Sequence, residues 1–361
     1  MKVVEQFKYR TFLFHKKVLD SDVASYRLLK AFLLFASYIW KAVAAFKYFA
    51  IKFKIFPVFE VRPVVVSIGN IVAGGTGKTP LTISLLEALG EKYKLGLLSR
   101  GYGEVNYNPF QPSSDEPKLI QKKFPNLHFF IGRNRVLLAN EAEKRKIDLL
   151  IMDDGMQHRY LNRDIELVTL NAKDLFGYGY FLPRGFLRDS PKTLKDADAI
   201  FLNHVKTEKE YKALCKNVRT FTKAPVIGMN PVIHEIMDVN GNVIDIEKNK
   251  KIGIFCGIAN PENFKILLQE NQASVVSELF LADHEKISEK KLERFAHVCI
   301  DKGAKYLLCT EKDVMPFFTE LPIPVGVVKM KLQFNFGTHH WDNIVEKILN
   351  RVDTLRESSV E

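Results

Sequence analysis

Short apolar runs alternate with amphipathic segments through the middle of the chain. The runs occupy residues 64–69, 94–100, 127–132, 147–154, 164–170 and 198–205. Runs of this length and composition are typical of strands buried on both faces of a sheet. Apolar residues at helical spacing lie between them, over residues 77–93 and 133–146. Strands that alternate with helices predict an α/β fold built on a parallel sheet with helices on both faces.

The pattern changes near residue 225. Residues 232–246 alternate around Asn240-Gly241, the strongest short hairpin signal. A strand-loop-helix unit then begins near residue 250, and further strands and a closing helix follow it. We therefore predict an α/β domain over residues 61–225, a β-ribbon linker over 226–250, and a smaller α/β domain over 251–350.

The segment before the first strand is apolar but carries basic residues at intervals. Its longest uncharged run, residues 31–40, has ten residues, whereas a membrane-spanning helix needs about 20, so the count predicts no span. The basic residues that share one side of the expected helix are Arg27, Lys30, Lys41 and Lys52. Residues 1–60 are predicted to lie on an anionic bilayer through an amphipathic helix. The alternative is a helix packed on the domain core with solvated lysines.

The charge balance agrees with an anionic partner. The 361 residues include 53 Lys and Arg against 42 Asp and Glu, a formal net charge of +11. Such an excess favours nucleic acid, a phosphorylated substrate or an acidic membrane surface, without choosing among them. The four cysteines have no metal-ligand spacing, which indicates reduced thiols in a cytosolic protein.

The sequence "SIGNIVAGGTGKTP", residues 67–80, connects a predicted strand to a predicted helix. Backbone N–H groups, a helix N-terminus and a lysine converge on phosphate in such loops. The usual spacing G-x-x-x-x-G-K-[ST] would place a glycine where this chain has Val72. We predict that Lys78 reaches the terminal phosphates of ATP and that Thr79 binds Mg²⁺. The complete predicted nucleotide-binding set is Gly74, Gly75, Thr76, Gly77, Lys78, Thr79 and Arg100.

Carboxylates follow two of the other predicted elements. Asp153 and Asp154 end the fourth apolar run, where such a pair typically holds Mg²⁺ or its waters. The alternative is an ordinary cap or turn. Asp115 and Glu116 precede Pro117 and a predicted helix, where acidic residues also favour the helix dipole without any function.

The ordered motifs resemble the tetraacyldisaccharide 4′-kinase family. They are "GNIVAGGTGKTP", "SRGYG", "DEP", "DDGMQHR" and "LPRGFLRD", followed by "GIANPENF", "DHEKIS" and "TEKDV". The resemblance implies transfer of the ATP γ-phosphate to the 4′-hydroxyl of tetraacyldisaccharide 1-phosphate, giving lipid IVA in lipid A biosynthesis. It also implies Mg²⁺ dependence and peripheral attachment to the cytoplasmic face of the bacterial inner membrane. We expect a monomer.

The resemblance also implies roles for individual residues. Asp115 matches the base for the sugar hydroxyl and His284 its partner, while Lys78 contacts the transferred phosphate. The predicted metal-binding set is Thr79, Asp153, Asp154 and Glu116, and lesser candidates near phosphate or metal are Arg133 and Arg184. Ser114, Arg184, Phe186 and Glu285 depart from the family's usual residues, which affects the expected shape of the sugar site.

Two other classes of protein remain as alternatives. One is a membrane-associated P-loop ATPase switch of the partition or metallochaperone type, but the signature lysine of partition ATPases is replaced by Ala73. The other is a nucleic-acid-binding protein, whose aromatic residues should be interleaved with Lys and Arg on an exposed face. Here the aromatic residues concentrate in the apolar helix and strands. We therefore predict no nucleic-acid partner.

Overall fold

The chain folds into two compact units. The computed structural model describes residues 18–19, 26–100, 108–112, 115–245, 250–258, 261–281 and 287–358. The larger unit comprises Val18–Pro231 with Leu332–Glu361, and the smaller unit contains Val232–Lys331. The chain therefore leaves the larger unit after residue 231 and returns to it at residue 332.

The larger unit contains a parallel sheet flanked by helices. Its strands are β1 (Val64–Gly69), β2 (Leu95–Ser99), β3 (His128–Ile131), β4 (Leu149–Asp153), β5 (Ile165–Asn171), β6 (Ala199–Asn203) and the start of β7 (Val226–Met237). The strand order is β3-β2-β4-β1-β5-β6-β7, with parallel pairing at each step. Its helices are α1 (Arg27–Lys52), α2 (Lys78–Leu89), α3 (Asp115–Lys123), α4 (Arg135–Lys144), α5 (Glu208–Val218) and α8 (Thr338–Glu357).

Strand β1 lies in the middle of this sheet and is buried along its whole length. Val64, Val66 and Ile68 belong to an apolar cluster that includes residues of α2 and α8. Val65, between them, belongs to a second cluster with residues of α4. Alternate residues of a strand point to opposite faces, so burial of both faces accounts for the mostly apolar run in the sequence. Ser67 is the polar exception, and its hydroxyl donates to Glu166 Oε1 at 2.8 Å.

The smaller unit is also α/β. Its strands are β8 (Lys251–Cys256), β9 (Ser274–Phe280), β10 (Tyr306–Thr310) and the first part of β11 (Val325–Phe336), in the order β11-β10-β8-β9. Its helices are α6 (Pro261–Glu270) and α7 (Glu289–Asp301). The predicted turn at Asn240-Gly241 is present: Gly241 has φ 91°, and the Asp238 carboxylate accepts hydrogen bonds from the backbone N–H groups of Asn240 and Asn242.

The division of the chain differs from the predicted domains at its C-terminal end. Residues 251–350 are predicted as one domain, whereas residues from 332 onward belong to the larger unit. The physical reason is the apolar stripe of α8, where Ile344, Ile348 and Val352 are buried in the same cluster as the residues of β1 and α2. Helix α8 therefore completes the core of the larger unit.

Helix α1 has 26 residues and exposes most of its apolar side chains. An 18-residue window within it has a mean hydropathy of 1.5 and is only 6% buried, so by length and composition alone α1 is able to cross a membrane. The ten-residue uncharged run therefore does not exclude a span, because a long helix tolerates a few basic residues. Its other face is hydrogen-bonded to the rest of the larger unit: Lys47 donates to the Gln157 carbonyl (2.9 Å) and Tyr48 to the Asp196 carboxylate (2.9 Å).

Candidate active site

Residues 70–77 form the loop between β1 and α2, at the carboxyl end of the central strand. Ligands of open α/β sheets bind at this edge. Gly77 precedes α2 with φ 95°, and a side chain there would overlap the Asn203 amide. Gly74 has φ 120° and is exposed. Both positions require glycine, and the loop leads directly into a helix N-terminus, which favours anions.

The unusual glycine spacing has a structural explanation. Val72 is buried and forms an antiparallel bridge with Leu187. The next residue, Ala73, donates its N–H to the Phe186 carbonyl at 2.7 Å. The start of the loop is therefore paired with the segment that carries "LPRGFLRD", and the left-handed conformation needed for the turn occurs at Gly74.

A chain of buried polar groups holds the loop from below. Asn70 Nδ2 donates to Thr76 Oγ1 (3.0 Å), and the Thr76 and Thr169 hydroxyls are 2.7 Å apart. Thr169 Oγ1 in turn donates to the Gly69 carbonyl at 3.2 Å. The Thr76 hydroxyl is thus committed to the protein interior, which leaves its backbone as the part of Thr76 that could contact a nucleotide.

Three cations converge on Asp154. The Arg188 guanidinium makes two 3.0 Å hydrogen bonds to its carboxylate oxygens, and Lys78 Nζ lies 3.5 Å from Oδ1. Arg135 Nη1 donates to the Asp154 carbonyl at 2.9 Å. Asp154 itself has φ 48°, the left-handed conformation that aspartate tolerates better than most residues. The phosphate loop, the end of β4 and the 182–189 segment therefore meet at one carboxylate.

The charge state of Asp154 follows from these contacts. Burial acts to raise the pKa of its carboxyl group, but the hydrogen bonds from Arg188 and the charges of Lys78, Arg188 and Arg135 outweigh burial and hold the pKa below its ordinary value. Asp154 is therefore ionised at neutral pH. Lys78 and Arg188 therefore lie beside the loop as cations paired with an ionised carboxylate.

The residues predicted to hold Mg²⁺ fit a nucleotide-bound ion better than a site made by protein alone. Asp153 ends β4 opposite Ile68 of β1, and Thr79 lies in the first turn of α2. In the described part of the chain, no group of three or more His, Cys, Asp or Glu side chains could hold a metal. Mg²⁺ is commonly bound by one or two carboxylates together with substrate phosphates. Thr79 and Asp153 match that donor set, whereas the Asp154 carboxylate is engaged by Arg188 and Lys78.

The other predicted residues are placed less completely. Arg100 follows β2 and Arg133 follows β3, and both are exposed at the carboxyl edge of the sheet. Arg184 lies over the Tyr180 ring, 4.9 Å from its centroid. Asp115 and Glu116 begin α3, but their side chains, and the whole of His284, lie outside the described residues.

Arg188, Arg135 and Asn70 were not among the site residues predicted from the sequence. Within "LPRGFLRD" the predicted residue is Arg184, whereas Arg188 is the arginine that reaches Asp154. The sequence feature that pointed to Arg188 was its place directly after an apolar residue. Leu187 is buried, and the next side chain, Arg188, points the other way and is only partly buried. No local pattern marks the contact of Arg135 with Asp154, 19 residues away, or that of Asn70 with Gln157, 87 residues away.

The residues that follow Asp154 form a second polar cluster. Gln157 Nε2 donates to the Asn70 carbonyl (2.7 Å) and to Asp189 Oδ2 (3.0 Å). Burial, reinforced by the charges of Arg135, Lys47 and others, lowers the pKa of His158 to about 4. His158 is therefore neutral at physiological pH. This cluster supports the loop through Asn70.

We expect Arg188→Met to lower the free energy of unfolding by roughly 1–3 kcal/mol, because it leaves a largely buried carboxylate short of hydrogen bonds. In a cycle with Asp154→Asn, the double variant should lose less than the sum of the single losses, by about 1 kcal/mol or more. Urea denaturation measures all four proteins. Arg184→Met is the matched control from the same motif and should cost about 0.5 kcal/mol, the value of a cation–π contact.

The pH dependence of this coupling follows from the lowered pKa of Asp154. The stabilisation is complete above the ordinary pKa of 3.8 and is lost as the pH falls through the lower folded-state value. The coupling should therefore be equal at pH 5 and pH 8. A coupling of zero at both pH values would show that Arg188 and Asp154 do not stabilise each other.

Comparison with known proteins identifies the family. Residues 29–350 match the model of the tetraacyldisaccharide-1-P 4′-kinase family. The tetraacyldisaccharide 4′-kinase of Chlamydia trachomatis serovar D is 35% identical over 291 residues, covering 75% of this chain and 78% of the relative. That of Chlamydia abortus is 32% identical over 316 residues, covering 82% and 84%.

A solved structure supports the fold independently. LpxK from Aquifex aeolicus, crystallised in complex with ATP, superimposes with a TM-score of 0.67 and 23% sequence identity, covering 90% of this chain and 99% of that chain. This likeness confirms the predicted α/β fold class. The chain belongs to the tetraacyldisaccharide 4′-kinase family, as its ordered motifs predict.

Proposed function

We propose that this protein transfers the γ-phosphate of ATP to the 4′-hydroxyl of tetraacyldisaccharide 1-phosphate and so produces lipid IVA. The observation that carries the proposal is the convergence of Lys78, Arg188 and Asp154 beside a glycine loop at a helix N-terminus, in a member of this family. Phosphoryl transfer depends mainly on positioning and on stabilisation of charge. The clustered cations supply both.

Lys78 and Arg188 are held differently, which suggests different roles. Arg188 is fixed by two 3.0 Å hydrogen bonds. Lys78 Nζ is 3.5 Å from Asp154, longer than the roughly 2.7–2.9 Å of a charge-assisted hydrogen bond. We infer that Lys78 turns toward the β- and γ-phosphates at little cost when ATP binds, while Arg188 keeps Asp154 in place. Gly74, Gly75, Thr76 and Gly77 contribute backbone N–H groups.

Mg²⁺ is part of the proposal. Thr79 and Asp153 would hold it, with Asp154 and Glu116 completing its surroundings. When bound, the ion neutralises charge on the β- and γ-phosphates. Arg100 is assigned to the phosphates because it follows β2 at the same sheet edge.

Asp115 is the proposed general base, with His284 as the partner that orients it. Asp115 is the first residue of α3, and the roles of both residues rest on the "DEP" and "ADHEK" motifs. Accepting the proton from the 4′-hydroxyl during attack increases the nucleophilicity of the sugar oxygen. The reaction then leaves ADP and the 4′-phosphorylated lipid.

Helix α1 provides the proposed contact with the membrane. Its exposed side includes large apolar residues, among them Leu28, Phe32, Phe35, Val43, Phe46 and Phe49. Arg27, Lys41 and Lys52 are also exposed, as suits the headgroups of an anionic leaflet. Because the opposite side is hydrogen-bonded to the larger unit, we propose that α1 lies in the cytoplasmic leaflet and does not cross it. The protein acts there as a monomer.

The first test is phosphate transfer from γ-labelled ATP, with Mg²⁺, to tetraacyldisaccharide 1-phosphate in mixed micelles. The wild type should form a labelled, more acidic lipid. Lys78→Ala should reduce the rate roughly 10²–10³-fold, since it removes a donor to the developing charge. Lys144→Ala, an exposed lysine on α4, is the control and should retain the wild-type rate. Release of free phosphate regardless of added lipid would instead support the ATPase switch.

Asp115→Ala should reduce kcat roughly 10²–10⁴-fold, the usual range for loss of a general base. The affinity for ATP should stay nearly intact, because Asp115 is not assigned to the nucleotide. Lys118→Ala, an exposed residue of the same helix, serves as the control. An Asp115→Ala protein within threefold of the wild-type kcat would exclude the assigned role.

The membrane contact is tested by placing charge on the apolar side of α1. Phe35 and Phe46 are 66% and 65% exposed, and replacing both with Asp should weaken binding to anionic vesicles at least 100-fold, since burying each ring contributes about 1.5–3 kcal/mol. Leu137→Asp is the control, because Leu137 is 64% exposed but lies on α4. Unchanged cosedimentation of the double variant would return α1 to a core-packing role. Resistance of the wild type to extraction by alkaline carbonate would indicate a spanning helix.

A further inference from the structure

Three side chains on the inward side of α1 donate hydrogen bonds to described residues of the larger unit beyond residue 150, and a fourth, Lys30, donates to the Leu19 carbonyl. Lys47 Nζ donates to the Gln157 carbonyl (2.9 Å), Tyr48 OH to Asp196 Oδ2 (2.9 Å), and Trp40 Nε1 to the Arg188 carbonyl (3.4 Å). Two of the three acceptors, Gln157 and Arg188, belong to residues that also contact the active-site loop or Asp154. The third, Asp196, lies in a 3₁₀ turn at Pro191–Asp196. Trp40 and Lys47 therefore contact residues next to the candidate active site, whereas Tyr48 contacts a residue away from it, so Tyr48 can serve as a comparison for Lys47.

The contact through Lys47 leads to the phosphate loop in two further hydrogen bonds. Gln157 accepts from Lys47 with its carbonyl and donates its side-chain Nε2 to the Asn70 carbonyl at 2.7 Å. Asn70 then donates to the Thr76 hydroxyl at 3.0 Å. Asn70 and Thr76 are buried, so a displaced Gln157 would move groups that have no room to adjust independently.

The surroundings of Lys47 show that its position depends on the docked helix. Its ammonium group is half-buried, lies 5.3 Å from the centroid of the Tyr160 ring, and interacts with Asp189 and Arg159. Removing a lysine from water is costly unless it gains a partner. Here the partner is the Gln157 carbonyl, at a distance typical of a strong hydrogen bond. If α1 moved away from the rest of the larger unit, this hydrogen bond would break, and the Gln157 carbonyl would no longer be held by Lys47.

We propose that Lys47 is a positioning residue for phosphate transfer, through which the membrane-facing helix α1 holds Gln157, Asn70 and the phosphate loop in their working geometry. The proposal rests on the proposed function and extends it: the helix that contacts the membrane also sets the activity of the site. Lys47 touches neither ATP nor the sugar. It acts through Gln157, so its loss should weaken the binding and use of ATP and leave KM for the lipid unchanged.

The test compares Lys47→Met with Tyr48→Phe in the full-length protein. Each variant removes one hydrogen-bond donor from the inward side of α1 and keeps most of the side chain, but only Lys47 leads to the loop. The measurements are kcat, KM for ATP and KM for the lipid in mixed micelles, the Kd of ATP, vesicle cosedimentation and the thermal midpoint. Lys47→Arg tests rescue by a second cation.

We expect Lys47→Met to lower kcat/KM for ATP roughly tenfold, the effect of losing one hydrogen bond to a charged donor, and to raise the Kd of ATP. KM for the lipid and vesicle binding should stay as in the wild type, Lys47→Arg should recover most of the loss, and Tyr48→Phe should stay within twofold of wild-type kcat/KM. Equal losses in the two variants, or an unchanged Kd of ATP in Lys47→Met, would overturn the proposal. Failure of the wild type to label the lipid would count against the proposed function alone, since the Kd of ATP still decides the role of Lys47.

Discussion

The geometry of the candidate active site depends on the ionised carboxylate of Asp154. Lys78 and Arg188 both lie beside this carboxylate, and Arg135 donates to the carbonyl of the same residue. Without the negative charge of Asp154, repulsion among these three cations would separate the loop from its neighbours. A half-buried ion pair offsets its desolvation cost only with good geometry, and the bidentate Arg188 contact provides it. The same contacts hold Lys78 and Arg188 beside the loop between β1 and α2.

The sequence was sufficient to predict the elements that build this site. Strands β1 to β6 are buried on both faces or nearly so, which made them mostly apolar runs. The loop follows β1 directly, and Asp153-Asp154 stand at the end of β4. Arg188 could not be identified in the same way. It reaches Asp154 because Val72 pairs with Leu187, and a bridge between segments more than a hundred residues apart has no local sequence pattern. The loop's missing glycine has the same origin, since Val72 is used for that pairing.

The return of the chain to the larger unit at residue 332 could not be predicted from the sequence either. An amphipathic helix shows its apolar stripe in the sequence but does not show which sheet the stripe will cover. Ile344 and Ile348 would have suited the smaller unit, to which the preceding strand β11 partly belongs, yet they are buried with the residues of α2. The predicted domain of residues 251–350 followed chain order alone. In the structure, packing of α8 against α2 assigns the residues after 331 to the larger unit.

Helix α1 shows how a departure from a simple pattern can carry information. On a helical wheel Lys47 lies away from the line of Arg27, Lys30, Lys41 and Lys52. Arg27, Lys41 and Lys52 are exposed beside the apolar side and Lys30 donates to the Leu19 carbonyl, whereas Lys47 turns inward and donates to Gln157. A helix that served only to hold the protein on a membrane would need no partly buried cation on its inward side. The cost of partly burying Lys47 is understandable if α1 must also be held in register with the loop that Gln157 and Asn70 support.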